Sequence, residues 1–289
     1  MEKNKEKDTD KILGMNRVMF FIIVILLCIL SLSIGIYAQV FYRYSDTDPF
    51  MLGIGVNKTQ NAAEINQLKN EFSKICTNDL TGTTTAQNIK KKDESKDIVY
   101  TYKTVAEKDD KYSISAYLPK VNINADYADK INAQITQNYE ETINNIINNT
   151  KEDTDYSVTY KAYLNGDMLS LLIKENIHKG KTTQSSKIKT YNYNLNNNTE
   201  VGIMDIVQAK NYKQKDIQKQ IDAEIEALNK KDEEIKTQYS EVKLRDLNNS
   251  MYKIENTENF IINDQGYLYL IYAYGNTEDT NKIDTIIFE

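Results

Sequence analysis

The apolar run of residues 18–41, VMFFIIVILLCILSLSIGIYAQVF, contains no charged residue and constrains this chain more than any other feature. As a helix rising about 1.5 Å per residue, it is long enough to cross a hydrocarbon core of about 30 Å. Lys3, Lys5, Lys7, Lys11 and Arg17 precede it, whereas only Arg43 follows closely and the next lysine is Lys58. Because positive flanks stay on the cytoplasmic side, a single pass is expected, with residues 1–17 inside and residues 42–289 outside. A cleaved signal peptide is the competing reading. A secretory apolar region covers only about 7–15 residues, and the nearest cleavage candidate, Tyr37-Ala38-Gln39, lacks a small residue two positions before Ala38. A buried soluble helix is disfavoured because no face of the run is polar.

The rest of the chain is polar. Asp and Glu number 42 against 36 Lys and Arg, a formal charge of −6, so the basic face that a nucleic-acid partner requires is not expected. Cys28 falls in the apolar run and Cys76 outside it, so no disulfide within the chain is expected. The oligomeric state is left open.

Residues 42–60 carry Pro49, Gly53 and Gly55 and read as an exit linker. Ile65, Leu68, Phe72 and Ile75 repeat at helical spacing, predicting a short amphipathic helix over 61–76. Residues 77–97 are poor in apolar side chains and read as a flexible tether. Residues 42–96 are thus expected to be a membrane-proximal helix and polar tether, with a folded domain from 97 to 289.

Within that domain, strands are expected at 98–105, 112–121, 156–164, 168–178, 186–195, 258–263, 267–274 and 283–288. The stripe Tyr127, Ile131, Ile135, Tyr139, Ile143 predicts a helix of roughly 22 residues, and Ile217, Ile221, Ile225, Leu228 and Ile235 predict another from about 213 to 241. The expected class is α+β: an antiparallel sheet with two long amphipathic helices on one face, preceded by the transmembrane helix. Two tightly packed subdomains are the alternative.

No catalytic motif stands out, and neither a cofactor nor a metal is expected. His178 is the sole histidine, whereas a zinc site draws on several His or Cys ligands and a Ser-His-Asp triad would depend on His178 alone. The acidic groups Asp109/Asp110, Glu140/Glu141 and Asp232-Glu233-Glu234 are read as solvated surface rather than acid–base pairs. The candidate ligand-binding residues are tyrosines of one strand, with Tyr267 and Tyr269 on one face and Tyr272 and Tyr274 on the other, together with His178 and Lys179 in the following turn of another. Sheet packing is the bland reading of these tyrosines, and of Tyr191 and Tyr193.

Three stretches carry a family resemblance: YSISAYLPKVN from Tyr112; LSLLI from Leu169, leading to Tyr191-Asn192-Tyr193 and Met204-Asp205-Ile206-Val207; and FIINDQGYLYLIY from Phe260. On these, residues 100–289 resemble the extracytoplasmic domain of RsiV-type anti-sigma factors, also found in PdaC-type polysaccharide deacetylases. The turn Ile177-His178-Lys179-Gly180-Lys181 departs from the Gly-Gly-Ala-His-like turn of that family. The resemblance implies the binding module alone, without the anti-sigma or deacetylase part, and an extracellular protein such as lysozyme as ligand.

The function expected is therefore non-catalytic. It is a membrane-anchored bacterial sensor or binding domain of the cell envelope that recognises a lysozyme-like protein or a cell-wall glycan. An envelope assembly factor acting through the membrane-proximal region is the alternative, and a cell-wall hydrolase or deacetylase accessory module is the third reading.

Overall fold

The strands bury one face, as in the alternation of residues 154–158, or both, as at residues 169–173, because successive residues of a strand face opposite sides of a sheet. The computed structural model describes residues 11–12, 15–16, 20, 22–23, 58–87, 89–182, 184–236, 244–274 and 282–289. The chain divides into two units, Met1–Ala63 and Glu64–Glu289. In the first, β1 (Lys11–Ile12) and β2 (Met15–Asn16) form a short antiparallel pair. Apart from Phe20, Ile22 and Ile23, the expected transmembrane run lies outside the described residues. Among the described residues no helix is long and apolar enough to cross a membrane.

The second unit is a mixed α+β fold. Its large sheet has seven strands: β3 (Leu80–Thr84), β4 (Val99–Lys108), β5 (Tyr112–Val121), β6 (Thr154–Gly166), β7 (Met168–Lys179), β8 (Ser185–Asn194) and β9 (Thr199–Glu200). The order is β4-β5-β6-β7-β8-β9, with β3 also paired to β6. Most pairs are antiparallel, and Gly166, at φ 60°, turns β6 into β7. Two pairs are parallel, which corrects the expected all-antiparallel sheet. β5 joins the first half of β6 and β3 joins the second. Between β5 and β6 the chain runs through α2 (Asp126–Ile135), a π turn (Thr136–Glu140) and α3 (Glu141–Asn149). A crossover of that length allows parallel pairing, which a hairpin cannot.

The α2–α3 stripe of Ile131, Ile135, Tyr139, Ile143 and Ile146 packs on one face of this sheet against Leu118, Val158, Tyr160, Leu171 and Ile173. Burying such a side chain is worth about 1.5–3 kcal/mol, so this cluster is the main core. A second sheet, β10 (Asn259–Ile262), β11 (Leu268–Tyr274) and β12 (Lys282–Phe288), is antiparallel. Its Leu268, Leu270 and Tyr272 pack with α4 (Ile203–Ala209) and α5 (Gln214–Lys236). Its opposite face, Tyr267, Tyr269 and Ile271, packs with Leu172 and Ile188 of the large sheet and with Phe72. The two helical layers therefore cover different sheets, and the expectation of both on one face is corrected.

The free edge of β10 is closed by side chains of the large sheet. Ser170 Oγ accepts from the Ile262 N–H at 3.0 Å, Thr190 Oγ1 from the Phe260 N–H at 3.1 Å, and Asn192 Nδ2 donates to the Phe260 carbonyl at 2.8 Å. These bonds satisfy backbone groups that an edge strand otherwise leaves open.

The expected tether is also corrected. Residues 80–84 are strand β3, and Asn122 holds the loop before β4, accepting from the Asp93 N–H at 2.9 Å and donating to the carbonyls of Asp93 at 2.7 Å and Asp97 at 3.1 Å. The amphipathic helix is α1 (Lys58–Glu71), and its Ile65 and Leu68 pack with Phe72 and Ile75 into the layer between the sheets.

Candidate functional site

The tyrosine strand is a core element rather than an exposed face. Tyr267 is 9% exposed, Tyr269 5% and Tyr272 2%. Tyr272 shares a 2.9 Å hydrogen bond with Thr257, and burial pushes its hydroxyl up to about 12. The alternation of faces is as read, but both faces of β11 are covered, so the sheet-packing reading describes these three residues. Tyr274 closes β11, and its side chain lies outside the described residues.

His178 and Lys179 sit at the end of β7, away from the tyrosines. His178 is opposite Asp155 of β6, with Nδ1 3.6 Å from Oδ2. The hydroxyls further along that face serve Asn176, which donates to Ser157 Oγ at 3.1 Å and accepts from Ser186 Oγ at 2.6 Å. Lys179 is exposed at the start of a turn in which its carbonyl accepts from Thr182 Oγ1 at 2.7 Å. Cys76 is half-buried beside the layer that holds Phe72, and burial raises its thiol, which lowers reactivity at neutral pH.

Two of the acidic groups are internal ligands of the fold. Asp232, 8% exposed, accepts from Arg245 Nη1 at 2.8 Å, while Asp284 takes Arg245 Nε and Nη2 at 2.5 and 2.7 Å. This corrects the reading of Asp232 as solvated surface. Glu140, in the π turn, accepts from Lys103 at 2.8 Å and from the Tyr102 hydroxyl. A shift in strand register between Thr101 and Lys103 lets both neighbouring side chains reach one carboxylate. The Lys103 and Tyr102 bonds hold Glu140 below the usual carboxylate range. Among the described residues no group of three or more His, Cys, Asp or Glu is gathered as a metal site would require.

The sequence reading missed a groove of about 570 Å³ beside β8. The α2 wall supplies Tyr127, Lys130 and Gln134, and β8 supplies Lys189, Tyr191 and Asn192. Glu200 of β9, Met204 of α4, and Glu255 and Glu258 before β10 complete it. Local structure places each part. Tyr127 stacks on Tyr193 with ring centroids 5.4 Å apart and planes 5° from parallel. Tyr193 donates to Asn198 Oδ1 at 2.7 Å in the turn that brings Glu200 round. Asp205 accepts from the Gly202 N–H at 2.7 Å and so fixes the start of α4.

Tyr191 is 5% exposed, and its hydroxyl has no hydrogen-bond partner among the described residues. A buried polar group left so is costly unless something else supplies a partner. Burial, with Glu200 nearby, also raises the Tyr127 hydroxyl. Lys130, Lys189 and Glu258 form no ion pair among the described residues. The Tyr191–Tyr193 pair was visible in the sequence, but the residues that join it come from five separate segments. Their meeting depends on the two sheets.

No family model and no curated protein matches the chain. Among solved structures, it is similar to a DUF3298 family protein from Pseudomonas aeruginosa PAO1, at 11% identity, covering 61% of this chain and 79% of that one, with a TM-score of 0.38.

Proposed function

We propose that this chain is a membrane-anchored, extracytoplasmic binding module of the cell envelope, without catalytic activity of its own, and that the groove beside β8 is its ligand site. The anchor rests on the uncharged run of residues 18–41 and its lysine-rich N-terminal flank. The observation that carries the binding reading is the groove itself. Aromatic, cationic and anionic side chains line a space of about 570 Å³, within the roughly 300–1,000 Å³ range of small-ligand sites. The ligand is a lysozyme-like protein or a cell-wall component.

The stripe of Ile65, Leu68 and Phe72 packs within the fold. It therefore offers little to the assembly-factor alternative, which needs that helix free.

The test is equilibrium binding of the full chain, reconstituted in nanodiscs, to lysozyme and to purified cell-wall fragments at low and moderate salt. Saturable binding of either that persists at moderate salt supports the reading. Binding that vanishes with salt, or none at all, removes it.

A further inference from the structure

The charges around the groove are divided by element. Lys130 of α2 and Lys189 of β8 are exposed and supply cations, while Glu200 of β9 and Glu255 and Glu258 of the segment before β10 are exposed and supply carboxylates. Met204, 37% exposed at α4, adds an apolar contact. A site of one sign would select a simple anion or cation. A site that offers both signs within about 570 Å³ suits a ligand that carries both and is no larger than a few residues.

Resting on the binding reading above, we propose that the groove takes a short peptide with a free carboxylate and a free amine. Lys130 and Lys189 receive the carboxylate, and Glu255 and Glu258 receive the amine, through charge-assisted hydrogen bonds. This chemistry occurs both in the free stem peptides of cell walls and at the ends of cleaved proteins. The shared feature is the pair of unblocked ends.

The experiment is titration calorimetry of the full chain in nanodiscs with tetra-alanine, and with the same peptide blocked by an acetyl group at one end and an amide at the other. Free tetra-alanine is expected to saturate one site, and blocking both ends to weaken it by about tenfold or more, the scale of a lost hydrogen bond to a charged group. Peptides blocked at one end separate the two walls. The Lys130→Ala/Lys189→Ala variant should lose its preference for the free carboxylate, and Glu255→Gln/Glu258→Gln its preference for the free amine. Calorimetry with wall stem peptides and with a protein digest distinguishes the two natural sources. Equal affinity for free and blocked peptides, or no binding of any peptide, overturns the proposal. If lysozyme or wall fragments still bind in that case, only the peptide assignment falls. If they do not, the binding reading falls with it.

Discussion

Asn78 holds both backbone groups of Tyr160: its N–H donates to the Tyr160 carbonyl at 2.9 Å, and its side-chain Oδ1 accepts from the Tyr160 N–H at 3.0 Å. Tyr160 lies where β6 changes partner, after its pairing with β5 ends at Val158 and before its pairing with β3 begins at Ala162. A single asparagine thus closes the gap between two parallel strands on one edge. It does so at φ 60°, a conformation that asparagine adopts more readily than other side-chain-bearing residues.

Removing that side chain should therefore cost in two separable parts. Asn78→Gly keeps the backbone geometry and leaves the Tyr160 N–H unsatisfied, a loss of about 1–3 kcal/mol. Asn78→Ala adds left-handed strain of about 1 kcal/mol. Urea unfolding of both variants should rank alanine below glycine, and equal stabilities would contradict the account.

Arg245 is 7% exposed and neutralises two buried carboxylates, Asp232 and Asp284. Arg245→Ala removes the cation that both carboxylates share and should destabilise the fold by about 3–5 kcal/mol. Thermal unfolding monitored by near-UV circular dichroism measures this. A loss comparable to that of an exposed arginine would mean that the triad is solvated.

The Glu140 carboxylate is held below its ordinary value, 4.5, by Lys103 and Tyr102. A group whose pKa is depressed by folding contributes stability that is complete above the unfolded value and is lost as pH falls through the folded one. Stability should therefore decline on acidification below about pH 4.5, and Glu140→Gln should flatten that part of the curve. Parallel acid-unfolding curves for the two proteins would show that the pair does not contribute.

Strand β3 makes the segment before residue 97 part of the fold. A fragment of residues 97–289 lacks β3, Asn78 and the Phe72 layer, and it should bind a hydrophobic dye and lose near-UV ellipticity relative to the full chain. Gly82→Ala is a point version of this test. Gly82 has φ +90°, and a Cβ there would lie 2.1 Å from the Leu164 carbonyl oxygen and 2.8 Å from Asp264 Cβ. The parallel pairing with β6 must then yield. A fragment as cooperative as the full chain would restore the tether reading.

Local pattern made much of this fold legible. The Tyr127 to Ile143 stripe and the apolar, β-rich runs of the eight expected strands reflect burial that each element shows by itself. Long-range pairing was less legible. The sequence of β3, LTGTT, is polar and contains glycine, so nothing local marks it as a strand, and its partner lies in the distant β6. The β5–helix–β6 order did carry a signal for parallel pairing, since a long helical crossover brings its flanking strands into the same direction. The tyrosines of β11 were assigned to the correct faces, but alternation says nothing of how many faces are covered, and here a second sheet covers the other one. The groove was hidden for the same reason, because Lys130, Lys189 and Glu258 read as ordinary surface charges until the two sheets bring them together.

Hydrogen–deuterium exchange of the full chain, with and without saturating cell-wall fragments or lysozyme, tests the groove most directly. The account predicts slowed exchange in residues 127–134, 189–192 and 255–260, with little change at the β7 turn that holds His178 and Lys179. Protection confined to that turn, or none in the presence of a bound ligand, would contradict it.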